Sequence, residues 1–372
     1  MRRTALYAWH ASHGATMTDF NGWSMPLYYF GITTEHLATR KAGGLFDLGH
    51  MGRILLRGPR AHAFADYLTP APIAGAEAGT VHYSFLLDES GCTIDDITVY
   101  VAPETVMLVV NAGNYDRALA WVTEQAKAFG EVEVEDRTFS WGMFAVQGPA
   151  HETAMQALLG EDFEVLPYYR FRWLEGAGRV PVLYSATGYT GEAGYEVYAP
   201  VDQISALWEG AVAGGAPAGI VPAGLGARDS LRLEAAMPLY GHELSGDTTP
   251  LEAGLGRFIA WEKPSFIGRE ALLRAREEGG PAWRVVAFEM LQRGPVARQG
   301  YPVMDETGAP AGVVTSGILS PTLQKVIGMA RVRSALSAVG TPLQVEIRGR
   351  LHPARVVKKP FYKRSRSHAE SV

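Results

Sequence analysis

The chain has 372 residues, with 34 Lys and Arg against 39 Asp and Glu, which gives a formal net charge of −5. Binding to nucleic-acid phosphates requires clustered positive charge, so this acidic balance predicts no nucleic-acid partner. Hydrophobic residues make up 47% of the chain, which excludes wholesale disorder. The length indicates two or three domains.

The cysteine content and the apolar runs exclude further classes of protein. The single cysteine, Cys92, allows neither an intramolecular disulfide nor a cysteine-based metal site. The long aliphatic stretches, such as 106–110, fall far short of the ~20 residues that span a bilayer. His10 and His13 lack flanking acidic or cysteine ligands, and Gly224-Leu-Gly226 lacks the third glycine of a dinucleotide motif. These features predict a cytoplasmic protein with no metal site and no membrane contact.

Apolar periodicity places the predicted elements in chain order. Helical spacing predicts a helix that begins after an N-cap at Asn114 and ends at Gly130. It also predicts helices over 33–42, 203–213, 226–237 and 267–277. Two β-rich runs around Ala102-Pro103-Glu104 predict a hairpin. Residues 283–360 contain at least five strand-like runs, typical of a separate barrel or sandwich. The part before it mixes helices and strands without strict alternation, which favours the α+β class.

Two adjacent aspartates begin the first strand of the predicted hairpin. In an extended 95–101 segment, the apolar odd-numbered residues after Asp95 share one face, and Asp96, Thr98 and Tyr100 share the other. Asp96 then points away from the aliphatic core, where its carboxylate could hold a substrate nitrogen or act as a base. The alternative is that Asp95 and Asp96 cap the turn before the strand.

Short motifs follow one another along almost the whole chain. In chain order they are DFNGWSMP (19–26), LFDLGHM (45–51), IDD (94–96), FAVQGP (144–149), TGYTGE (187–192), GLGARDSLRLE (224–234), TPLE (249–252), FIG (266–268), TSG (315–317) and KKPFY (358–362). In this order and spacing they resemble the aminomethyltransferase, or T-protein, family of the glycine cleavage system. The chain departs from the family at Gly49, where Ser is frequent, and at Cys92, where glycine is frequent.

The resemblance implies an α+β fold of three domains in a cloverleaf around a central folate channel, ending in a small β-barrel. Residues 1–52 plus 140–245 are expected to form a folate-binding domain, residues 53–139 plus 246–278 a second domain carrying Asp96, and residues 283–372 the barrel. The implied reaction moves the methylene carbon of an aminomethyl group on lipoylated H protein to tetrahydrofolate. Its products are 5,10-methylenetetrahydrofolate, ammonia and dihydrolipoyl H protein. Tetrahydrofolate is the implied co-substrate, H protein is the implied partner, and we expect a monomer.

The resemblance also assigns site residues. Asp96 matches a carboxylate that orients folate N10 and stabilises positive charge during the transfer. Glu196 matches the acceptor of the N–H donors of the pteridine, against the alternative of an exposed strand glutamate. Arg228 matches an arginine that contacts folate and substrate, against an ion pair at the helix start with Asp229 or Glu234.

Other matched positions concern the walls and the mouth of the folate site. Tyr83, Asn111, Tyr169 and Tyr189 match residues that line the folate channel, and their alternative is ordinary core or rim packing. Arg366 matches an arginine in a basic tail that also contains Lys358, Lys359, Lys363 and Arg364. This tail is expected to meet the folate glutamate or H protein, against the alternative of a solvated charge run.

Two other functions share these features. One is a tetrahydrofolate-dependent demethylase of the same fold, which takes a methyl group from a small sulfonium or aryl ether. The other is a non-catalytic folate-binding protein related to iron–sulfur cluster assembly. Proteins of that kind carry a Lys-Gly-Cys-Tyr motif, where this chain has Thr187-Gly188-Tyr189.

Overall fold

The computed structural model describes residues 1–175, 180–292 and 294–364. These residues divide into two compact units. Unit 1 consists of Met1–Gly188, Ala193–Ala227 and Leu244–Gly280, and unit 2 consists of Tyr189–Glu192, Arg228–Glu243 and the described part of Pro281–Val372. Helices and strands both contribute, which confirms the predicted mixed class. No helix in the described ranges has the length and apolarity that crossing a membrane requires.

The elements of the described chain are as follows. The strands are β1 (Arg2–Arg3), β2 (Thr16–Phe20), β3 (Trp23–Tyr28), β4 (Gly43–Asp47), β5 (Gly52–Arg57), β6 (Thr80–Leu87), β7 (Thr93–Val101), β8 (Val106–Val110), β9 (Glu133–Asp136), β10 (Trp141–Gln147), β11 (Phe171–Leu174), β12 (Val182–Ser185), β13 (Gly194–Pro200), β14 (Ile220–Pro222), β15 (Trp283–Met290), β16 (Pro302–Met304), β17 (Pro310–Leu319), β18 (Val326–Arg333), β19 (Pro342–Ile347) and β20 (Arg350–Val357). The α-helices are α1 (Tyr7–Ser12), α2 (Ile32–Lys41), α3 (Ala61–Leu68), α4 (Tyr115–Phe129), α5 (His151–Leu159), α6 (Ile204–Gly215), α7 (Leu225–Glu234) and α8 (Arg269–Glu277). Each predicted helix is present, with its ends shifted by up to three residues.

Three sheets form the framework of unit 1 within the described residues. Their strand orders are β1-β3-β2, β11-β12-β13-β10-β4-β14 and β6-β7-β8-β5-β9. The predicted hairpin is the antiparallel pair β7–β8, in which Thr98 lies opposite Val109. The division of residues 1–278 into two domains with the boundaries given above stays a prediction.

The β7 strand shows how the sequence pattern produces the core of this region. Ile97, Val99 and Val101 are buried in one cluster with Phe64 of α3 and Val122 of α4. The odd-numbered face of β7 is therefore the core face, as its period of two predicts. At ~25 cal/mol per Å² of apolar surface removed from water, this cluster is a main source of stability for the sheet.

The β10 and β13 strands occupy the centre of the second large sheet. Phe144 of β10 and Val197 of β13 are paired neighbours, and both are buried beside Trp208 of α6. The same pairing places Glu196 opposite Ala145. The local register of these two strands thus fixes where the Glu196 side chain emerges.

Unit 2 is built on a closed barrel with the strand order β15-β18-β17-β16-β19-β20. This confirms the predicted C-terminal β-barrel. Arg232, 1% exposed, donates to Glu243 Oε2 at 2.9 Å and to the hydroxyl of Ser316 on β17 at 2.8 Å. A buried guanidinium is tolerable only with such partners, so these contacts attach the 228–243 segment to the barrel.

Candidate active site

Asp96 is a partly exposed carboxylate that is held at both oxygens. Its Oδ2 accepts the hydroxyl of Tyr83 at 2.9 Å, and its Oδ1 accepts the side-chain Nδ2 of Asn111 at 2.9 Å. Tyr83 lies on β6 opposite Thr98, so it reaches Asp96 diagonally across the strand pair. Asn111 directly follows β8. Three consecutive strands therefore set the orientation of this carboxylate.

Asp95 points to the opposite face of β7 and is fully buried. Its Oδ2 accepts the backbone N–H of Asn111 at 2.8 Å, and its Oδ1 accepts the Nδ2 groups of Asn111 and Asn114 at 2.9 and 2.8 Å. Both aspartates lie inside β7, and the preceding turn is capped by Asp88, whose Oδ1 accepts the backbone N–H groups of Ser90 and Cys92. The turn-cap alternative is therefore wrong.

The environment of Asp95 disfavours its ionised form. Burial and then the adjacent charge of Asp96 raise the pKa of Asp95 above its ordinary value, although the hydrogen bonds from Asn111 and Asn114 act in the opposite direction. In the unfolded chain the same carboxyl has its ordinary pKa of 3.8. In the pH range just above 3.8 the folded chain therefore keeps a proton on Asp95 that the unfolded chain has lost.

We expect this difference to make stability fall as the pH rises above about 4, until Asp95 is ionised in the folded chain as well. Asp95→Asn removes the titrating group, so the free energy of unfolding should depend less steeply on pH across this window. Denaturant titrations at several pH values check this. The control is Asp116→Asn, a change at an exposed carboxylate, which should leave the pH dependence of the unfolding free energy as it is in the wild type. Equal slopes for the wild type and Asp95→Asn would contradict the expectation.

Glu196 is a second carboxylate, only 8% exposed, and the alternative of a surface strand glutamate is therefore wrong. Its Oε2 accepts the Thr187 hydroxyl at 2.5 Å and the Tyr100 hydroxyl at 3.4 Å. The Tyr100 hydroxyl also lies 3.0 Å from Ser185 Oγ and 2.7 Å from the Tyr198 hydroxyl. We call Tyr100, Ser185, Thr187 and Tyr198 the hydroxyl cluster. Its connected donors fix Glu196 in a buried position.

The hydroxyl cluster keeps its protons. Burial, followed by the charge of Glu196, raises the pKa of Tyr100 above its ordinary value. Burial also raises the pKa of Tyr198. The phenols therefore remain hydrogen-bond donors at neutral pH, and a carboxylate is a suitable acceptor for them.

The loop after β12 brings Thr187 to Glu196. The carbonyl of Thr187 accepts Gln147 Nε2 at 3.0 Å. A Cβ atom added at Gly188 would collide with the amide end of the Gln147 side chain, which is bonded to the Thr187 carbonyl and would have to shift. The Thr187-Gly188 pair in the TGYTGE motif thus has a local structural reason.

The β7 strand connects the two carboxylates. Asp96 and Tyr100 lie four residues apart on one face of it, a spacing of ~13 Å along the strand. At the Tyr100 end, the strand reaches Glu196 through the phenol hydroxyl. Unit 1 therefore has a partly exposed carboxylate at one end of this stretch and a buried, hydrogen-bonded carboxylate at the other.

Tyrosines flank both ends of the β7 stretch from Asp96 to Tyr100. The ring of Tyr83 makes an edge contact with Phe258 at a centroid distance of 4.8 Å. Tyr169 has a φ of 63°, a conformation that is costly for a bulky residue, and it is fixed by backbone hydrogen bonds to Val81 and Ala186. Burial, followed by the charges of Tyr168 and Glu196, raises the pKa of Tyr169 above its ordinary value.

Two predicted residues belong to unit 2. The guanidinium carbon of Arg228 lies 4.6 Å from the centre of the Tyr189 ring, and the Tyr189 hydroxyl donates to the carbonyl of Pro238. Asp229, considered as an ion-pair partner of Arg228, pairs with Arg232 at 2.8 Å. Arg366 lies outside the described residues. The predicted site residues therefore fall into an Asp96–Tyr83–Asn111 group, Glu196 beside the hydroxyl cluster, and an Arg228–Tyr189 pair, while the Tyr169 backbone is bonded to Val81 and Ala186.

The sequence interpretation missed Tyr100, Thr187 and Asp95 as site residues. The alternation along β7 had placed Tyr100 on the Asp96 face, so a signal for it was present. Thr187 is part of the TGYTGE motif, but its contact with Glu196 follows from the fold. In the ranges that the structure describes, no three His, Cys, Asp or Glu side chains are arranged to hold a metal ion.

Comparison with known families now decides the identity of the fold. The model of the GCVT N-terminal domain matches residues 6–263, and that of the glycine cleavage T-protein C-terminal barrel domain matches residues 284–363. This chain belongs to the glycine cleavage T-protein family. The predicted family is thereby confirmed.

Individual relatives in this family agree over their full lengths. The chain is 43% identical to an aminomethyltransferase of Geobacillus thermodenitrificans, covering 99% of this chain and 100% of the relative. It is 45% identical to one of Moorella thermoacetica, with 98% of each covered. A solved aminomethyltransferase T of the glycine cleavage system, from Bartonella henselae, superposes with a TM-score of 0.89 at 34% identity, covering 97% of this chain and 98% of that one. The predicted enzyme class, a transferase of aminomethyl groups, is confirmed with the family.

Proposed function

We propose that this chain transfers the methylene carbon of an aminomethyl group, carried by the lipoyl arm of H protein, to tetrahydrofolate. The observation that carries this proposal is the Asp96 carboxylate, which Tyr83 and Asn111 hold at both oxygens while it stays partly exposed. The family relationship supports the same reaction. The products are 5,10-methylenetetrahydrofolate, ammonia and dihydrolipoyl H protein.

The reaction needs a fixed negative charge beside the transferred carbon. The bonds from this carbon to sulfur and to the departing nitrogen break, while bonds to folate N5 and N10 form. The protons of N5 and N10 leave with the sulfur and with ammonia. Positive charge develops during these exchanges, and a preoriented carboxylate stabilises it and positions N10. We assign this role to Asp96, because its orientation is set before any substrate arrives.

The binding role falls to Glu196. The pteridine edge of folate presents adjacent N–H donors, which a carboxylate accepts in pairs. Thr187 and Tyr100 orient Glu196 by donating to its Oε2, and the carboxylate is almost entirely buried. We assign Tyr169 to the aromatic wall that a flat ring needs, because its backbone N–H donates to Ala186, the residue before Thr187. A buried charge with these partners is suited to a neutral ligand that donates hydrogen bonds.

The remaining assignments rest on the family relationship. We assign Arg228 and Tyr189 to contacts with folate and substrate. The Arg228 guanidinium already packs against the Tyr189 ring. Arg366 and the basic tail are assigned to the folate glutamate or to H protein. A cytoplasmic monomer that needs no metal stays a prediction.

A donor-specificity assay tests the proposed reaction. Aminomethyl-loaded lipoylated H protein should yield ammonia and methylenetetrahydrofolate in equal amounts. A small methyl sulfonium and a methyl aryl ether, the donors of the demethylase alternative, should yield no methylated folate. Methyl transfer without ammonia release would overturn the proposal in favour of the demethylase. Folate binding with no turnover of any donor would favour the non-catalytic alternative.

A further inference from the structure

We propose that Asp95 is a positioning residue for the transfer reaction, because it holds the Asn111 amide in the orientation that donates to Asp96. This inference rests on the role proposed for Asp96. The two carboxylates are adjacent in sequence and point to opposite faces of β7. Asn111 bridges them from the end of β8.

The bridge is a single amide group shared by several acceptors. Asn111 Nδ2 lies 2.9 Å from Asp95 Oδ1, 2.9 Å from Asp96 Oδ1 and 3.0 Å from the Asp96 carbonyl oxygen. The backbone N–H of Asn111 donates to Asp95 Oδ2 at 2.8 Å. Asp95 therefore fixes both the main chain and the side chain of the residue that contacts Asp96.

The chemistry of an amide explains why its orientation needs fixing. An asparagine side chain has a donating NH₂ group and an accepting oxygen on opposite sides. With the amide turned over, its oxygen would face two carboxyl groups and the Asp96 carbonyl. Asp95 opposes that arrangement because it offers acceptors to the donor side, and because at 0% exposure it has no solvent as a substitute partner.

Replacing Asp95 with asparagine should disturb this bridge without changing the size of the side chain. The ionised Asp95 carboxylate offers acceptors only, whereas the asparagine side chain has a donating end as well. In the wild type, N–H groups of Asn111 and Asn114 donate to the two Asp95 oxygens. In either orientation of the new side chain, its NH₂ group therefore faces one of these donors. One donor is then left unsatisfied in a buried place, and the Asn111 amide is expected to turn or move. The hydroxyl cluster around Glu196 uses other residues and should stay intact.

The test is a double-mutant cycle of Asp95→Asn and Asn111→Ala, measured with aminomethyl-loaded H protein and tetrahydrofolate. A small misplacement of a reacting group costs up to ~10²-fold, so we expect Asp95→Asn to lower kcat by about tenfold or more. The Kd for folate should stay within about twofold. The double variant should be no slower than Asn111→Ala, because Asp95 acts through Asn111.

Thr93→Val provides the structural control. Thr93 lies two residues before Asp95 on β7 and is equally buried, and the change keeps the shape of the side chain. We expect it to leave kcat at the wild-type value, and melting temperatures measured for both variants show whether the loss in Asp95→Asn exceeds an effect of stability. Multiplicative kcat losses in the double variant would overturn the proposal, as would wild-type kcat in Asp95→Asn.

Two further outcomes separate this inference from its basis. If Asp95→Asn does not fold, Asn111→Ala decides the matter, since wild-type kcat in that variant would overturn the bridge. If Asp96→Asn itself retains full turnover, the role proposed for Asp96 fails, and the inference fails with it. Loss of turnover in Asp96→Asn beside full turnover in Asp95→Asn overturns the inference alone.

Discussion

Asp96→Asn is expected to lower turnover by ~10²-fold or more, the usual scale for a positioned acid–base group, while folate affinity changes little. The substitution keeps the size of the side chain and one accepting oxygen. It removes the negative charge and turns an N–H group toward either Tyr83 or Asn111, both of which donate to Asp96. Steady-state kcat at saturating H protein and folate, together with a folate titration, measures the two effects separately.

A matched control for Asp96→Asn is available in the adjacent hairpin turn. Glu104→Gln removes a carboxylate charge at an exposed position between β7 and β8, and it should leave kcat unchanged. The two variants together separate the local role of Asp96 from the effect of net charge. Unchanged turnover in Asp96→Asn would exclude Asp96 from the transfer step.

The second large effect is expected for a substitution of Glu196, which should weaken folate binding. Glu196→Ala removes the acceptor that we assign to the pteridine N–H donors, and unpaired buried donors cost ~1–3 kcal/mol each. Two such donors correspond to about 10²-fold or more in folate Kd. The Thr187 and Tyr100 hydroxyls retain partners in Ser185 and Tyr198, so we expect the variant to fold.

A folate titration of Glu196→Ala should be run beside Glu133→Ala, which removes an exposed strand glutamate on β9. We expect weaker binding in the first variant and wild-type binding in the second. Equal folate affinity for Glu196→Ala and the wild type would place Glu196 outside the folate site.

Local patterns predicted the parts of the fold that depend on local periodicity. The β7–β8 hairpin, the two faces of β7 and an all-β C-terminal region follow from alternation and turn residues, and the structure confirms them. The choice of a barrel over a sandwich came from the family resemblance. Helix α4 begins after Asn114 as predicted, but the Asn114 side chain makes no cap hydrogen bond. It donates to Asp95 instead. Tertiary contact thus replaced the local role that aspartate and asparagine usually have.

The long-range contacts of the site were beyond the reach of such patterns. Glu196 read alone looks like an exposed strand residue. Its burial arises from Tyr100, 96 residues earlier, and from the loop that Gly188 brings against Gln147. The role proposed for Asp95 likewise depends on its contact with Asn111, which follows another strand. The order and spacing of the motifs predicted the family. The hydrogen-bond partners of the site residues become known only from the folded structure.

In the proposed reaction Asp96 serves the transfer step and Glu196 serves folate binding. The most direct test is the rate of ammonia release from aminomethyl-loaded H protein as a function of tetrahydrofolate concentration, for Asp96→Asn and Glu196→Ala side by side. We expect high folate to restore the rate of Glu196→Ala toward that of the wild type and to leave Asp96→Asn slow. Rescue of Asp96→Asn by folate, or a Glu196→Ala rate that stays low at saturation, would contradict this expectation.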